Sequence, residues 1–560
     1  MPQPKEAISE VLHSLLKNFD TAKLLISELG VVSSDLNALF DTIQTDALQL
    51  KTLLGEENQL TRTSRSSISI RSYSATESMN NTTQQFELSN ESTQDSAAMS
   101  EVKNTIDCLD GRLKQCLLCL SIFPEGAVIK KQLLIHWWIG EGLVLDTEVG
   151  KGRFEELLYH GLIVPVKHEH CDEVHAFRVY PWIRRQVVEA AKENNFLELD
   201  PMGNPVVGTT NRVILIKGQE RVRARVRSLG RSSNQGLLTV YNVDQQYVHL
   251  DKSWFSGQKK LGTFQLGRCT ASSEHHTELV KEWLLKGIGA CRNLRYLSLR
   301  GISRIESLPD SIGDLYYLII LDLRACHNLE KLTVAVTSLQ KLQYLDVSEC
   351  YLLDQMPRGL GQLVNLEVLK GFVIGSTKSK DPCRLTELTR LEKLRKLSIS
   401  IGRQSVATDD ELRQLAGLEN LRCLSVTWGV VASHKKQSVV SNSGKVKTAE
   451  SIADMRLCLP PKIEKLDLRC VPFREFPDWL SPTNLAGLKK LYIRGGMLEV
   501  LGAETGWAVE VLRLRFLRNL KCDWDAVPNL FPMLSFLENW ECENLISWPC
   551  NDQGIWRKLE

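Results

Sequence analysis

The sequence predicts a multidomain protein whose C-terminal part is an α/β solenoid, a horseshoe of stacked repeats. Two observations support this fold class: a motif of the form LxxLxL recurs along the C-terminal half, and its first three spacings are 24 residues each. A third is the apolar–proline pair that closes several units, as at Leu308-Pro309 and Met356-Pro357. One such unit cannot bury its own leucines, so consecutive units must stack around a shared core. A motif of this form and period is typical of leucine-rich repeats.

The repeat domain is predicted to occupy residues 206–560. Copies of the motif begin at residues 294, 318, 342, 366, 394, 421, 463, 488, 509 and 534, and degenerate copies at 237 and 261 extend the array upstream. Cysteine occupies the small inward position in three repeats, which predicts structural thiols at Cys326, Cys350 and Cys542. The interval between the copies at 421 and 463 is too long by most of one repeat. Its basic, serine-rich sequence predicts an inserted loop at 430–458.

Residues 1–60 are predicted to form a helical, coiled-coil-like segment. Apolar residues alternate by four and three positions from Ile8 to Leu54, and a seam of this period buries itself against another helix. An intramolecular hairpin and self-association through residues 8–54 account for the pattern equally well. Residues 61–105 are rich in Ser, Thr, Asn and Gln and poor in aliphatic residues, so we expect a disordered linker there.

The bulk composition excludes several classes of protein. The net charge is +2, so the chain has no general attraction for nucleic acid or acidic lipid. No apolar run is long enough to span a membrane, and the first residues do not have the pattern of a secretory signal. The 15 cysteines are scattered and odd in number, which predicts reduced thiols in the cytoplasm.

Residues 106–205 are predicted to form a winged-helix domain. A helix that starts near Leu113 stops at Phe123-Pro124, and a second helix through Leu133–Trp138 ends at Gly140 and Gly142. A third helix then runs into a strand, and a second strand leads into the last helix. Helices and a small hairpin in this order are typical of a winged helix.

Three ordered segments of this domain resemble the winged helix of plant coiled-coil nucleotide-binding leucine-rich-repeat disease resistance receptors. They are Cys116–Glu125, Leu133–Val144 and Phe154–Val166. Together with the repeats, the resemblance covers most of the chain. It implies a role in plant defence and innate immunity and a cytoplasmic location, with peripheral attachment to the plasma membrane as an alternative. Fold similarity alone would not imply function, but three motifs in order are more specific than a shared fold.

The sequence departs from that family in two places, and both concern the nucleotide. The family's phosphate-binding motif GxxxxGK[ST], whose backbone N–H groups cradle phosphates, occurs nowhere in the chain. Val179, Tyr180 and Pro181 stand where the family has Met-His-Asp, whose His is expected to contact the nucleotide. We therefore predict a truncated relative that lacks the nucleotide-binding domain and uses no cofactor.

Other clusters of reactive residues favour structural interpretations. His168, His170, Cys171 and His175 are zinc-ligand types, but their spacing fits no standard zinc site and a solvated turn is the favoured interpretation. Cys116 and Cys119 lie on an apolar helix face with no second pair, which favours core thiols. Arg184 and Arg185 are too few for a DNA-recognition helix, so nucleic-acid binding is not expected. No catalytic constellation is present, and we expect no enzymatic activity.

The candidate binding residues lie between the repeat leucines, where alternation along each strand directs them to the concave face. Tyr and Arg are favoured anchors in protein interfaces, and the C-terminal members form a basic stripe suited to an acidic partner surface. The candidates are Tyr296, Arg300, Arg324, Tyr344, Asp346, Arg469, Tyr492, Arg494, Arg513 and Arg515.

The sequence therefore favours a defence-related interaction protein without a nucleotide switch. Its expected partner is a protein: a pathogen effector, a host target or a full-length receptor of the same family. Two alternatives are an immune receptor switched by ADP and ATP through a degenerate site, and a general leucine-rich-repeat scaffold.

Overall fold

The computed structural model describes residues 94–168, 171–200, 203–206, 210–216, 236–248, 254–267, 278–279, 285–375, 381–402, 409–429, 457–545 and 547–558. The chain divides into two compact units, Met1–Ser92 and Thr93–Glu560, and every described residue belongs to the second. The predicted coiled-coil segment, residues 61–93 of the predicted linker and residues 430–456 of the predicted loop lie outside the described residues. None of the described helices is long and apolar enough to cross a membrane.

The repeats build one sheet of fourteen described strands, as the LxxLxL spacing predicts. The second leucine of each motif stands directly opposite that of the next motif: Leu297 pairs with Leu321, Leu321 with Leu345 and Leu345 with Leu369. All four are fully buried in one continuous core that runs the length of the array. The strands, in sheet order, are β4 (Arg212–Leu215), β5 (Thr239–Asn242), β7 (Thr263–Gln265), β9 (Tyr296–Ser298), β10 (Ile320–Asp322), β11 (Tyr344–Asp346), β12 (Val368–Val373), β13 (Lys396–Ile401), β14 (Cys423–Trp428), β15 (Lys465–Val471), β16 (Lys490–Gly496), β17 (Val511–Arg515), β18 (Phe536–Trp540) and β19 (Ile555–Arg557).

All neighbouring strands of this sheet are parallel except the last pair, where β19 runs antiparallel to β18. The two degenerate repeats predicted at 237 and 261 are confirmed as β5 and β7. Strand β4, which precedes them, carries no LxxLxL motif and was not predicted. Its only sequence signal is the short apolar run Val213–Leu215, all of it buried. A separate two-stranded sheet joins β6 (Tyr247–Val248) and β8 (Glu278–Leu279).

The predicted inward cysteines are confirmed as part of the repeat core. Cys326 and Cys350 are buried, and their thiols donate to the carbonyl oxygens of Leu299 and Leu323 at 3.2 Å each. Burial raises the pKa of Cys350 to about 12, so this thiol stays protonated and unreactive at neutral pH. Cys542 is buried at the equivalent place.

Residues 94–206, here called the helical region, carry five of the described helices and a small antiparallel sheet. The sheet has the order β1-β3-β2. Two of the helices begin at an aspartate that caps the free N–H groups of the first turn: Asp110 accepts from Leu113 N at 3.0 Å, and Asp146 from Val149 N at 2.9 Å. The elements are α1 (Gln94–Cys108), α2 (Gly111–Leu118), β1 (Ile129–Lys130), α3 (Lys131–Glu141), α4 (Thr147–Tyr159), β2 (Val164–His168), β3 (Cys171–Arg178) and α5 (Pro181–Glu193).

Helix α1 corrects the predicted linker, which was placed as far as residue 105. Residues 94–105 are still rich in polar residues, but α1 begins at Gln94. Ile106 in this helix is buried, and Val102 packs against the same core. Lys103 also pairs with Glu193 of α5 at 3.4 Å. Packing against α5 therefore orders a segment that its composition alone assigned to the linker.

The shorter helices α6 (Leu385–Leu388), α7 (Asp409–Arg413) and α8 (Val527–Leu530), together with several 3₁₀ turns, return the chain from one strand to the next. At the end of many strands the chain turns through a residue with positive φ, such as Ala325 (φ 60°), Glu349 (φ 63°) and Phe516 (φ 57°). This turn ends the extended segment of each of these repeats.

Candidate protein-binding surface

Each repeat strand presents up to three residues between its buried leucines, and we call them its first, second and third concave positions. For β9 they are Tyr296 and Ser298 within the strand and Arg300 just after it, and for β16 they are Lys490, Tyr492 and Arg494. Neighbouring strands pair in register apart from one shift between β12 and β13, so equivalent positions form rows across the sheet. The concave face can therefore be described row by row, from β4 to β18.

The helical region covers the N-terminal strands, where the first row of β9–β12 is aromatic and aliphatic. Helix α3 places the His136 ring between Tyr296 and Tyr344. The centroid of the His136 ring lies 5.7 Å from that of Tyr296 and 4.7 Å from that of Tyr344. Trp137 stacks on Tyr241 of β5 at 4.5 Å. Tyr241, Tyr296 and Tyr344 consequently belong to the core of the helical region rather than to solvent. The burial of these large rings makes the contact largely apolar.

The backbone of α3 lies directly on the sheet. Gly140 of α3 and Gly262 of the sheet approach each other closely. A Cβ atom on Gly140 would overlap Thr263 and Tyr296, and one on Gly262 would overlap the carbonyl oxygen of Gly140. A Cβ at Gly140 would lie 2.9 Å from the Cβ of Tyr296 and closer still to the Thr263 hydroxyl. Only glycine permits this approach, so these two residues are part of the docking surface.

A buried carboxylate joins α3 to the first two strands. The Glu141 side chain is fully buried and pairs with the mostly buried Arg212 of β4 at 2.7 Å. It also accepts hydrogen bonds from the hydroxyl of Thr239 and from the indole N–H of Trp137, the latter at 3.1 Å. Three donors thus satisfy a charge that would otherwise be costly to bury.

Two acidic residues lie next to each other in the second row beneath this contact. Burial, together with the neighbouring Asp346 carboxylate, raises the pKa of Asp322 to about 6. Asp346 accepts from the hydroxyl of Tyr344 at 2.9 Å and pairs with Lys370 at 3.5 Å. Burial lowers the pKa of the nearby His136 to about 3, and the charge of Lys370 acts in the same direction. His136 is therefore neutral at physiological pH.

The C-terminal strands present a different surface, which is basic and open. Tyr492 lies between two cations: the Lys465 ammonium is 4.5 Å from the ring centroid and the Arg513 guanidinium 4.6 Å. Arg494 lies 5.2 Å from the ring of Phe516, which is exposed at the edge of the face. Burial lowers the pKa of Lys465, and the neighbouring positive charges of Arg513 and Lys490 add to this effect. These cation–π contacts are attractive and hold the cations over the faces of the rings.

Two carboxylates neutralise part of this basic surface. Arg469 pairs with Asp467 at 2.7 Å. Glu538 accepts from Arg515 Nε at 2.8 Å and lies 3.1 Å from Arg513 Nε. Among the described residues, Arg494 takes part in no ion pair.

The predicted concave residues thus fall into two groups. Tyr296, Tyr344 and Asp346 lie beneath the helical region and are buried. Arg300 and Arg324 border it, and Arg324 pairs with Glu349 at 2.5 Å. The other five stand together on the open C-terminal strands: Arg469, Tyr492, Arg494, Arg513 and Arg515.

The covering of the N-terminal strands was not predicted, although α3 carries a signal for it. Its residues Leu134–Glu141 are all buried, and the segment LLIHWWIG has no polar face. A helix that is hydrophobic all round must be covered on every side. One small domain could not provide that cover, so a second surface was needed, and the sequence does not say which.

The remaining sequence candidates take structural places. Cys116 and Cys119 are fully buried, as predicted, and burial raises the pKa of Cys116 to about 12. Arg184 points inward and donates to the carbonyl of Phe123 at 2.7 Å. The described residues contain no group of three metal-ligating side chains, but His170 lies outside them and the side chains of His168 and Cys171 are not described.

The residues predicted to stand in place of the Met-His-Asp motif lead into α5. Val179 is buried, and Pro181 occupies the first turn of the helix, where its missing N–H is not needed. The ring of Tyr180 stacks on Trp182 at 6.1 Å. None of the three side chains has the charge or the imidazole of the motif it replaces.

Comparison with known proteins extends this description. Residues 251–526 match a family model described as a leucine-rich repeat region. Disease resistance RPP13-like protein 4 of Arabidopsis thaliana is 28% identical over 492 residues, which cover 85% of this chain and 54% of that protein. The chain is homologous to plant disease resistance proteins. Among other such homologues, probable disease resistance RPP8-like protein 4 of Arabidopsis thaliana is 26% identical over 343 residues, or 60% of this chain and 36% of that protein.

A rice relative, disease resistance protein PIK6-NP of Oryza sativa subsp. japonica, is 27% identical over 239 residues, which cover 39% of this chain and 21% of that protein. This disease resistance homologue thus spans about half the length, or less, of these curated relatives. A solved structure titled crystal structure of a TDR receptor matches with a TM-score of 0.24 and 17% identity, over 51% of this chain and 59% of that one. The assignment of the repeat fold rests on the chain's own parallel sheet and on the matched repeat region.

Proposed function

We propose that this disease resistance homologue is a cytoplasmic, non-enzymatic interaction protein of plant defence, which recognises a protein partner with the open C-terminal part of its concave face. The observation that supports this proposal most directly is the contrast along that face. The N-terminal strands are covered by the chain's own helical region, whereas β15–β18 leave arginine and aromatic side chains open. Arginine and aromatic residues supply most of the binding energy in protein interfaces.

In this proposal the helical region is a winged helix that serves as a fixed support for the repeats. Residues 8–54 supply self-association or an intramolecular hairpin, as the heptad pattern allows. The partner is a pathogen effector, a host target or a full-length receptor. The chain does not switch by exchanging ADP for ATP.

A photo-crosslinking experiment tests the proposed binding surface. A photoreactive amino acid replaces Tyr492 on the open face, Tyr317 on the exposed outer surface or the buried Tyr296 in three forms of the full chain, which are expressed in leaf tissue challenged with a pathogen. We expect a covalent adduct with a defence component from position 492 alone. Adducts of equal yield from positions 492 and 317 would show that the concave face is not the recognition surface.

Thermal unfolding with and without ADP or ATP and magnesium tests the absence of a switch. A ligand that binds only the folded state stabilises it, by about 2.7 kcal/mol at a hundred times its dissociation constant. We expect no shift of the unfolding temperature at millimolar nucleotide. A reproducible increase would mean that the chain holds a nucleotide after all.

A further inference from the structure

The third concave positions of the C-terminal strands form a row of arginines. Arg469 of β15 stands directly opposite Arg494 of β16, and Arg494 stands opposite Arg515 of β17. Trp540 of β18 continues the same row. Adjacent strands are about 4.8 Å apart, so the three arginines occupy roughly 10 Å of the face. We call these four residues the arginine row.

Like charges directly opposite one another on neighbouring strands repel, so this row does not stabilise the fold by itself. The carboxylates of the face compensate only its outer arginines. Arg469 pairs with Asp467 and Arg515 with Glu538, whereas Arg494 in the middle forms no ion pair with any described residue. All three guanidinium groups remain accessible, and the side chains of Arg469 and Arg515 are 46% and 39% exposed. The row therefore presents a concentrated positive charge with an uncompensated centre.

Exposed aromatic side chains flank the end of this row. Trp540 is 46% exposed and Phe516 is 42% exposed, and Phe516 lies beneath the guanidinium of Arg494. Large apolar side chains that stand open beside arginines are typical of the centre of an interface. The site thus has a cationic part and an apolar part in a fixed order.

We propose that the arginine row binds an acidic polypeptide segment: a short run of Asp or Glu residues next to a large apolar side chain. The carboxylates contact the three arginines, with Arg494 as the central contact, and the apolar residue packs on Trp540 and Phe516. This inference rests on the proposed function and names the chemical class of its partner. Charge-assisted hydrogen bonds between guanidinium and carboxylate groups are strong and directional, which makes arginine suited to this role.

A nucleic acid fits the site less well than an acidic peptide. Asp467 and Glu538 occupy the second concave row, which lies next to the arginine row. Their negative charges would repel a continuous phosphate backbone. The whole chain also carries a net charge of only +2, so it provides no broad electrostatic attraction. Acidic and apolar groups that alternate within a few residues match the site better.

The test is fluorescence anisotropy of the full chain with two labelled peptides. One has a run of glutamates followed by a tryptophan, and the other has glutamines in place of the glutamates. We expect binding of the glutamate peptide alone, with an affinity that falls as salt is added. Arg494→Glu should weaken this binding at least about tenfold, and Arg494→Gln by a smaller factor. In a further measurement with alanine in place of the peptide's tryptophan, the wild type should bind the tryptophan form more tightly, and Trp540→Ala should remove this preference.

The matched control is Arg518→Glu, an equal charge change at a side chain that is 81% exposed and lies outside the arginine row. It should leave binding unchanged. Circular dichroism confirms that each variant is folded before binding is measured. An affinity of the wild type no higher for the glutamate than for the glutamine peptide, or an equal loss in Arg494→Glu and Arg518→Glu, would overturn the inference. So would tighter binding of a single-stranded oligonucleotide of the same charge.

Failure of this inference and failure of the proposed function give different results. If position 492 still crosslinks to a defence component while the glutamate peptide does not bind, the concave face recognises a partner of another chemistry. If neither is observed, the proposed function fails as well.

Discussion

The N-terminal and C-terminal strands of the repeat sheet share one backbone design but have opposite exposure. Both bury leucines at the same positions of the motif and end in the same kind of turn. They differ in the residues at the concave positions. The first row carries Tyr296 and Tyr344 in the N-terminal strands and Lys465 and Lys490 in the C-terminal strands. The aromatic part is covered by the chain itself, and the basic part stays open. The concave side chains, rather than the repeat framework, thus decide which part of the face is available to a partner.

The largest expected effect on stability comes from breaking the buried ion pair that joins the helical region to the repeat sheet. Glu141→Ala leaves Arg212 without its carboxylate in a buried place, which typically costs roughly 3–5 kcal/mol. Chemical denaturation should show this loss, and hydrogen exchange should show α3 opening first. Arg474→Ala, which breaks the exposed pair with Glu499, serves as the control and should leave the unfolding midpoint unchanged. Equal stabilities of the two variants would contradict the docked arrangement.

A pair of glycine substitutions tests the close approach of α3 to the sheet. Gly140→Ala places a methyl group against Tyr296 and Thr263, and overpacking of this kind costs about 1–3 kcal/mol. Gly152→Ala in α4 meets no atom within 4 Å, so the better helix propensity of alanine should stabilise the protein by about 0.5–1 kcal/mol. Thermal unfolding of both variants distinguishes them by the sign of the shift. Stabilisation by both substitutions would mean that α3 does not touch the sheet.

Lowering the pH should change the stability of the covered part of the sheet through two groups that act in opposite directions. The folded-state pKa of His136, about 3, is below its unfolded value of about 6.5, so its contribution to stability is lost as the pH falls below 6.5. The folded-state pKa of Asp322, about 6, is above its unfolded value of 3.8, so stability is gained as the pH falls from 6 to 4. Each group changes the free energy of unfolding by at most about 1.4 kcal/mol per pH unit. The two effects should largely cancel between pH 4 and 6.

Single variants separate these two contributions. His136→Phe keeps an aromatic ring between the tyrosines and should become more stable as the pH falls from 6 to 4. Asp322→Asn should instead lose stability over the same range, because of these two groups only His136 remains to titrate. Urea denaturation at several pH values gives both slopes. Identical slopes in the two variants would show that these groups are not buried beneath the helical region.

The sequence alone predicted the repeat fold well because its signal is periodic. Each LxxLxL motif places its leucines in a core that no single repeat can form, and even the degenerate copies at 237 and 261 were located. Strand β4 was missed because it is short and lacks the motif. Helix α1 was assigned to the linker because its order depends on contacts with α5, which composition does not contain.

The candidate surface was predicted only in part, for a physical reason. Alternation along a strand identifies which residues face the concave side, so Tyr296 and Tyr492 were both proposed. It does not show that α3 packs on the first and leaves the second open. The contact between α3 and the sheet joins residues far apart in the chain, such as Glu141 and Arg212, and no local pattern connects them. The apolar surface all around α3 signals that a cover is required without naming it.

Oxidative footprinting by hydroxyl radicals tests the central contrast most directly. In the folded full chain we expect Tyr296 and Tyr344 to remain unmodified, because α3 covers both rings. Tyr351, which is 76% exposed, and Trp540, which is 46% exposed, should be oxidised early. Denaturant should make all four residues reactive. Oxidation of Tyr296 and Tyr344 at the rate of Tyr351 in the folded protein would contradict the covering of the N-terminal strands by α3, because both rings would then be open to solvent.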